Sequence, residues 1–510
     1  MQDFLTAAVS ILTPEVLALI FAGTFVGIIF GAIPGLNTPI AVALLLPFAY
    51  KLETIPAVAL LLGVYMGGIS GGLVSAILLR IPGTAAAIAT TFDGYPMTRR
   101  GKAAEALAIG TFGSFLGGAF SAIVLAFLAK PLTQIALKFS PWDYFGLMLF
   151  ALSLVSVLVG KNVLKGYMSM LIGLLISCMG LSAIDAMAKR FTMGMPQLQG
   201  GISMVILIIG IYAIPEILSA AGKLNEDTTT AEFEKKRFYV PSKENRGPRY
   251  WWLWLQSSII GTFIGILPGL GSSTGAMLSY SAAQKTVKSE VGYGNGCAEG
   301  IYASEVANNA VTGGALIPML SLGIPGDSVT AVIMAALILK GVQVGPLLFV
   351  TNAPLIYQIV LATFFANLAM FIIQSLGIPL FAKIVKVPRY ILLPLIVMCI
   401  AIGCVSVNNR LFDFAVVLVL GILGYTLEKN GYPLPPLLLG FILGKDMETY
   451  LRRSLMTHGT FGACMSNFSV GTVLVVVAAL ITVAALVMKN EVIANKLFPK
   501  RAAKKAAQGK

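Results

Sequence analysis

The sequence predicts an all-α polytopic membrane protein built from two structural repeats. Three observations carry that reading. Hydrophobic residues fill 57% of the 510 positions and charged residues only 11%, for a mean hydropathy of +0.87. Apolar stretches at 104–128, 166–187, 203–218 and 461–488 approach or exceed the roughly 20 residues that cross a bilayer as a helix. An uncommon glycine–proline motif occurs once in each half. The apolar runs are continuous rather than alternating, which excludes a membrane β-barrel. The composition excludes an ordinary soluble enzyme.

The motif reads G-x-x-x-G-x-x-P-G-L. Its first copy is Gly27, Gly31, Pro34, Gly35 and Leu36; its second is Gly261, Gly265, Pro268, Gly269 and Leu270, 234 residues later. A further pair of breaks, Ile81-Pro82-Gly83 and Ile324-Pro325-Gly326, stands 243 residues apart. A glycine pair precedes each, Gly71-Gly72 and Gly313-Gly314. Proline removes a backbone donor and glycine loosens a helix. In a bilayer, the freed groups are tolerated only where protein buries them or water reaches them. Matching interruptions in two halves of a membrane chain point to a transporter binding site. Four broken elements, as broken helices or re-entrant hairpins, are therefore expected to converge on one midplane cavity. About eleven to thirteen spans fit the length at roughly 20 residues each.

The boundaries follow from composition. Residues 1–221 form the first repeat, 222–250 a charged cytoplasmic linker and 251–460 the second repeat. Residues 461–488 add a C-terminal membrane helix and 489–510 a basic cytoplasmic tail. The net charge of +14 resides in short loops and the tail, a membrane-orientation pattern rather than a nucleic-acid surface. Only Asp3 and Glu15 precede or open the first long apolar segment, so that end is expected outside and the linker inside. The repeats are then inverted. Lys161–Lys165 falls inside under this scheme and Asn409–Arg410 outside, whereas Lys189-Arg190 and Arg452-Arg453 land outside and oppose it. Cys178, Cys297, Cys399, Cys404 and Cys464 are scattered without a C-x-x-C pair, so neither a disulfide framework nor a zinc site is indicated. No basic n-region opens the chain, so no cleaved signal peptide is expected.

Several segments resemble the TctA family, the large membrane subunit of tripartite tricarboxylate transporters. In the first half they are GAIPGLNT (31–38), YMGGISGG (65–72), IPGT (81–84) and DGYPMTRRGKAAEAL (93–107). In the second they are GTFIGILPGLGSSTGAMLSY (261–280) and EGIYASEVANNAVTGGALIPMLSLGIPG (299–326), followed by PPLLLGFILG and Arg452-Arg453-Ser454. The resemblance implies a multi-pass protein of the bacterial inner membrane with two partners. One is a periplasmic solute-binding protein that captures an organic carboxylate such as citrate; the other is a small four-helix membrane subunit. It implies secondary transport by symport with sodium or protons, and by analogy an elevator motion. No cofactor is expected, and no phosphate-binding G-x-x-x-x-G-K-[ST] loop is present.

The candidate ligands follow the breaks. Asn37 and Thr38 come after the first, Thr84 after the second, Ser272, Ser273 and Thr274 after the third, and Asp327 and Ser328 after the fourth. A helix restarting there offers free N–H groups and a positive dipole end to a carboxylate. The half ending there offers carbonyls that suit sodium. These residues could equally be simple caps. Glu305, Asn308 and Asn309 form a polar trio in an apolar run, for ion or substrate contact or for interhelical hydrogen bonding. Arg80 stands beside a break and could pair a substrate carboxylate or Asp327. Asp93 reads as a turn former. Lone His458 makes no catalytic set, and Tyr250, Trp251, Trp252 and Trp254 read as an interfacial anchor. An intramembrane enzyme would need a paired Asp motif, a Ser–His or Ser–Lys dyad or H-E-x-x-H, and none is apparent. A scaffold would not need four breaks in register.

Overall fold

Apolar residues without strand-like alternation form helices, and the computed structural model is helical almost throughout. It describes residues 2–34, 36–158, 163–182, 184–185, 188–221, 237–384, 394, 397–398, 400–401 and 410–489. Gly35, Lys161, Cys399, Cys404, Asn409, the linker from 222 to 236 and the tail from 490 lie outside the described residues.

In chain order the first helices are α1 (Gln2–Ile11), α2 (Pro14–Ala32), α3 (Thr38–Lys51), α4 (Thr54–Leu79), α5 (Thr91–Arg99) and α6 (Ala103–Ala136). They are followed by α7 (Pro141–Leu158), α8 (Val163–Ser177), α9 (Met204–Ile208) and α10 (Ile214–Ala221). The next run is α11 (Trp251–Ile266), α12 (Gly271–Thr286), α13 (Ala298–Leu322), α14 (Ser328–Leu339), α15 (Leu348–Thr351) and α16 (Ala353–Ile384). The last are α17 (Leu411–Lys429), α18 (Leu434–His458), α19 (Phe461–Ser466) and α20 (Val470–Lys489). Six of the described helices are long and apolar enough to cross a membrane: α2, α4, α6, α16, α17 and α20.

The chain forms two compact units, and each draws on both halves. One comprises Met1–Leu137 with Met204–Tyr425; the other comprises Lys138–Ser203 with Thr426–Lys510. In the first unit, α4 and α13 are the central helices and are buried along almost their whole lengths. Apart from the polar trio Glu305, Asn308 and Asn309 on α13, their buried residues are mostly apolar or small, which is what a helix surrounded by helices requires. Helix α2 packs on α4 and α11 on α13, while α6 lies against α13 and α16 against α4.

In the second unit, α7 pairs with α20 and α8 with α18. Asp143 accepts the Gly471 N–H at 2.5 Å, and the Trp142 indole N–H donates to Thr472 Oγ1 at 3.0 Å. Arg190 and Arg452 both bind Glu448, at 2.9 and 2.8 Å. Two of the basic residues that oppose the assigned orientation are thus partly neutralised locally.

Three apolar stretches are more interrupted than their hydropathy suggests. The 166–187 stretch stops being helical at Ser177 and enters a two-stranded hairpin, Gly180–Leu181 with Lys189–Arg190. Gly180 takes a φ of 108° there, which ends any helix. The 203–218 stretch carries a π-helical turn at Ile209–Ala213, which accommodates the missing N–H of Pro215. The 461–488 stretch divides into α19 and α20. In the first turn of α20, Thr472 reaches back to donate to the Asn467 carbonyl, at 2.7 Å, in the gap between them.

The end of the presumed linker is docked. Tyr239 and Tyr250 are buried, and the Ser242 N–H and the Asn245 side-chain N–H both donate to Glu105, at 2.7 and 2.9 Å. Trp251 and Trp252 are exposed as anchors would be. Trp254 instead packs edge-on to Phe112 and Tyr302.

Candidate functional site

Each half holds its two breaks together in the same way. Helix α2 approaches α4 so closely that a Cβ on Gly27 would lie 2.9 Å from Val64 Cα, and one on Gly31 would run into the Gly68 carbonyl. In the second half, a Cβ on Gly261 would lie 2.8 Å from Ala307 Cα and one on Gly265 would lie 2.5 Å from the Val311 carbonyl oxygen. The partners sit at the 234- and 243-residue offsets found in the sequence. Backbone contact at this range replaces side-chain packing with close carbonyl and Cα–H approach. The second break then closes on the first. Gly83 abuts the Gly31 carbonyl, and Gly326 lies against the Gly265 carbonyl and Ala315. The Gly269 N–H also donates to the Gly326 carbonyl at 2.6 Å.

The halves also meet across each other. The 3-10 turn Ala85–Ala87, just past the second break, packs on α12, just past the third. Helix α14, just past the fourth, packs on α3, just past the first. Tyr65 on α4 donates to Asp327 Oδ2 at 2.5 Å. The structure therefore brings all four breaks into one region around α4 and α13.

A polar group reserved for a ligand must be left unpaired by the protein, and that criterion separates the candidates. Asn37 caps α3 by accepting the Ile40 N–H at 3.1 Å. Thr274 donates to the Leu270 carbonyl at 2.8 Å. Asp327 forms a capping box with Thr330 and holds Tyr65 with its other oxygen. By contrast, Thr38, Thr84 and Ser272 are buried with hydroxyls that have no hydrogen-bond partner. Among the candidates Asn309 Oδ1 is unpaired as well, and of the other buried unpaired hydroxyls Ser75, not singled out in the sequence, lies against the second break, where Gly83 meets it. Its only signal is its place one turn beyond Gly71-Gly72 on a helix of small residues. Ser273 and Ser328 are half-buried in the first turns of α12 and α14. Helix α12 has no side-chain cap, and its N-cap position is Leu270.

Glu305, Asn308 and Asn309 are fully buried, and protein groups engage the carboxyl. Thr90 makes a short bond to Glu305 Oε1, Ser114 donates to Oε2 at 3.0 Å and Asn308 donates to Oε2 at 3.2 Å. Asn309 donates to Ser114 Oγ at 2.8 Å. This network ties α13 to α6 and to the segment before α5. It is the interhelical hydrogen bonding that was one of the two sequence readings. Thr90 and Ser114 carried no sequence signal, because single hydroxyls are common in membrane helices.

Arg80 and Asp327 do not pair. Arg80 is exposed and lies over the Tyr95 ring at 5.9 Å, while Asp327 is taken by Tyr65 and Thr330. The sequence offset places Arg80 opposite Gly323. Both end their helices in the left-handed region, with φ of 61° and 73°. Glycine adopts that conformation freely and arginine at a cost.

Asp93 does more than form a turn. Its Oδ1 accepts the backbone N–H groups of Gly294, Gly296 and Cys297 at 2.9, 2.8 and 3.0 Å. Its Oδ2 accepts the Tyr280 hydroxyl at 2.7 Å. The first half thus grips the loop that leads into α13 of the second.

A helical membrane domain with four interlocked glycine–proline breaks defines a transporter-type membrane protein. The chain belongs to the tripartite tricarboxylate transporter TctA family, whose sequence profile matches residues 17–439. That is a transporter family and not an enzyme family. The chain is 34% identical over 482 residues, 92% of its length and 94% of the other's, to an uncharacterized 52.8 kDa protein in the TAR-I ttuC′ 3′ region of Agrobacterium vitis. It is 39% identical over 196 residues to an uncharacterized protein in the TAR-II ttuC′ 3′ region of the same organism. That match covers 38% of this chain and 81% of the relative. No solved structure matches the chain significantly.

Proposed function

We propose that this chain is the large subunit of a binding-protein-dependent secondary carrier that imports a tricarboxylate or related carboxylate, such as citrate, by symport with an ion. The observation that carries the substrate assignment is the N-terminus of α12. It has no side-chain cap and carries the unpaired hydroxyl of Ser272 beside Ser273. Free N–H groups, a positive dipole end and a buried hydroxyl donor together favour a carboxylate. The parallel contacts at matching offsets support two repeats, and the orientation inferred from charge makes them inverted. The breaks lock onto one another through glycine contacts and the Tyr65–Asp327 bond. They can therefore move as one body, as an elevator-type carrier requires. The small four-helix subunit, the periplasmic binding protein, the inner-membrane location and the cytoplasmic C-terminus complete the proposal.

Uptake of labelled citrate and a dicarboxylate panel into proteoliposomes tests it. They would hold this chain and its small partner, with or without the binding protein, under a sodium or proton gradient. Uptake should need both the gradient and the binding protein. Gradient-driven uptake without the binding protein would instead make this an autonomous carrier, and no uptake of any carboxylate would overturn the reading.

Arg80 supplies a positive charge for substrate carboxylates arriving at the breaks. Arg80→Gly removes a left-handed arginine and is expected to raise stability by up to about 1 kcal/mol. Uptake should fall all the same. Full uptake by a stabilised Arg80→Gly protein would reduce Arg80 to a helix cap.

A further inference from the structure

We infer that the breaks of the first half enclose a monovalent-cation site, best suited to sodium and formed by Thr38 Oγ1, Ser75 Oγ and Thr84 Oγ1 around the Gly68–Gly72 turn of α4. The role of that ion as the coupling ion rests on the transporter reading above; its binding does not.

The three hydroxyls are 1%, 0% and 6% exposed and none has a hydrogen-bond partner. One such orphan in an apolar interior costs about 1–3 kcal/mol, so three in one place call for an occupant. They do lie in one place. Thr38 covers Gly68, where a Cβ would lie 2.5 Å from its methyl and 2.8 Å from its hydroxyl oxygen. Thr84 covers Gly72, one turn further along the same face of α4. Ser75 Oγ would lie 2.6 Å from a Cβ on Gly83, and the Gly83 N–H donates to the Gly72 carbonyl at 3.3 Å. Gly83 in turn abuts the carbonyl of Gly31, in the last turn of α2. There a helix leaves carbonyls without donors and its dipole is negative.

The three hydroxyls and the Gly31 carbonyl are all oxygen groups, and none is charged. Hard alkali ions take oxygen ligands, and a neutral set suits one positive charge better than two. The second half lacks the set. The sequence offsets place Ser272 opposite Thr38, but Pro318 opposite Ser75 and Asp327 opposite Thr84. Pro318 has no hydroxyl, and both Asp327 oxygens are already engaged. The halves therefore divide the work, with a cation at the first pair of breaks and a carboxylate at the third.

Thermal unfolding of the purified chain in detergent tests this, with sodium chloride titrated against equal potassium and choline chloride. The wild type should gain a saturable stabilisation specific to sodium. Thr38→Val, Ser75→Ala and Thr84→Val should each need at least about tenfold more sodium. In choline they should melt at or above the wild-type temperature, because each removes an orphaned hydroxyl. Thr84→Ser keeps the oxygen and should keep the sodium response. No sodium effect on the wild type would mean the hydroxyls hold only water, and would overturn the site. So would a sodium effect untouched by the variants. Proton-driven uptake in sodium-free proteoliposomes would overturn the coupling role and leave the transporter standing. A sodium response lost in the variants, with no carboxylate uptake at all, would keep the site and remove the transporter.

Discussion

Gly326→Val is expected to abolish carboxylate uptake while leaving the protein in the membrane. A Cβ at this position would lie 2.5 Å from Ala315 Cα and 2.7 Å from the Gly265 carbonyl oxygen. Both are backbone atoms of packed helices, so neither can swing aside. Overpacking of this kind costs about 1–3 kcal/mol, which a bundle of this size survives. The effect on transport is larger because the clash separates the two breaks of the second half. A displacement of about 1 Å at a binding constellation is worth about 100-fold in rate. Membrane insertion depends on segment hydropathy, and valine is more apolar than glycine. Gly269→Val should act alike through a different term. Its φ of 78° costs a β-branched residue roughly 1–2 kcal/mol, and its N–H holds the Gly326 carbonyl. Uptake measured beside membrane-fraction content checks both. Normal uptake in either variant would sink the assignment of the site to the breaks.

Asp93→Ala should destabilise the fold strongly. It strips the acceptor from three backbone N–H groups and from the Tyr280 hydroxyl. Hydrogen bonds to an acidic group contribute about 1.5–3 kcal/mol each, and an abandoned buried donor adds its desolvation cost. A loss on the order of 3 kcal/mol or more is therefore expected. Asp93→Asn keeps one oxygen for the backbone donors and should lose less. Thermal unfolding in detergent distinguishes them. An alanine variant that melts with the wild type would show that the clamp does not hold α13. The same clamp explains Gly300, because a Cβ there would collide with the Asp93 carboxyl.

The resemblance blocks DGYP and EGIY were legible in the sequence, but their contact was not. Asp93 meets Gly300 of the second block and, just before it, the Gly294 N–H 201 positions away, and neither motif names the other. The same holds for Glu305. Its polarity in an apolar run was visible, but its partners Thr90 and Ser114 come from other segments. The Arg80–Asp327 pairing failed for a related reason. Opposite charges near related offsets are a plausible pair in sequence, yet Arg80 is exposed over Tyr95 whereas Asp327 is buried. Tyr65 reached Asp327 instead.

The sequence by itself determined that this is a helical membrane protein of the TctA family, with four backbone breaks at two fixed offsets. Hydropathy sets where chain enters a bilayer, and Gly-Pro chemistry sets where a helix must stop; both are local. Only the tertiary structure decided which polar groups near the breaks are spent on the fold and which are free. Asn37, Asp327 and Glu305 are satisfied by the protein, whereas Thr38, Ser75, Thr84 and Ser272 are not. The caps of Asn37 and Asp327 are local, but the partners of Glu305 and the Tyr65 bond to Asp327 arrive from distant segments, and no local pattern encodes them.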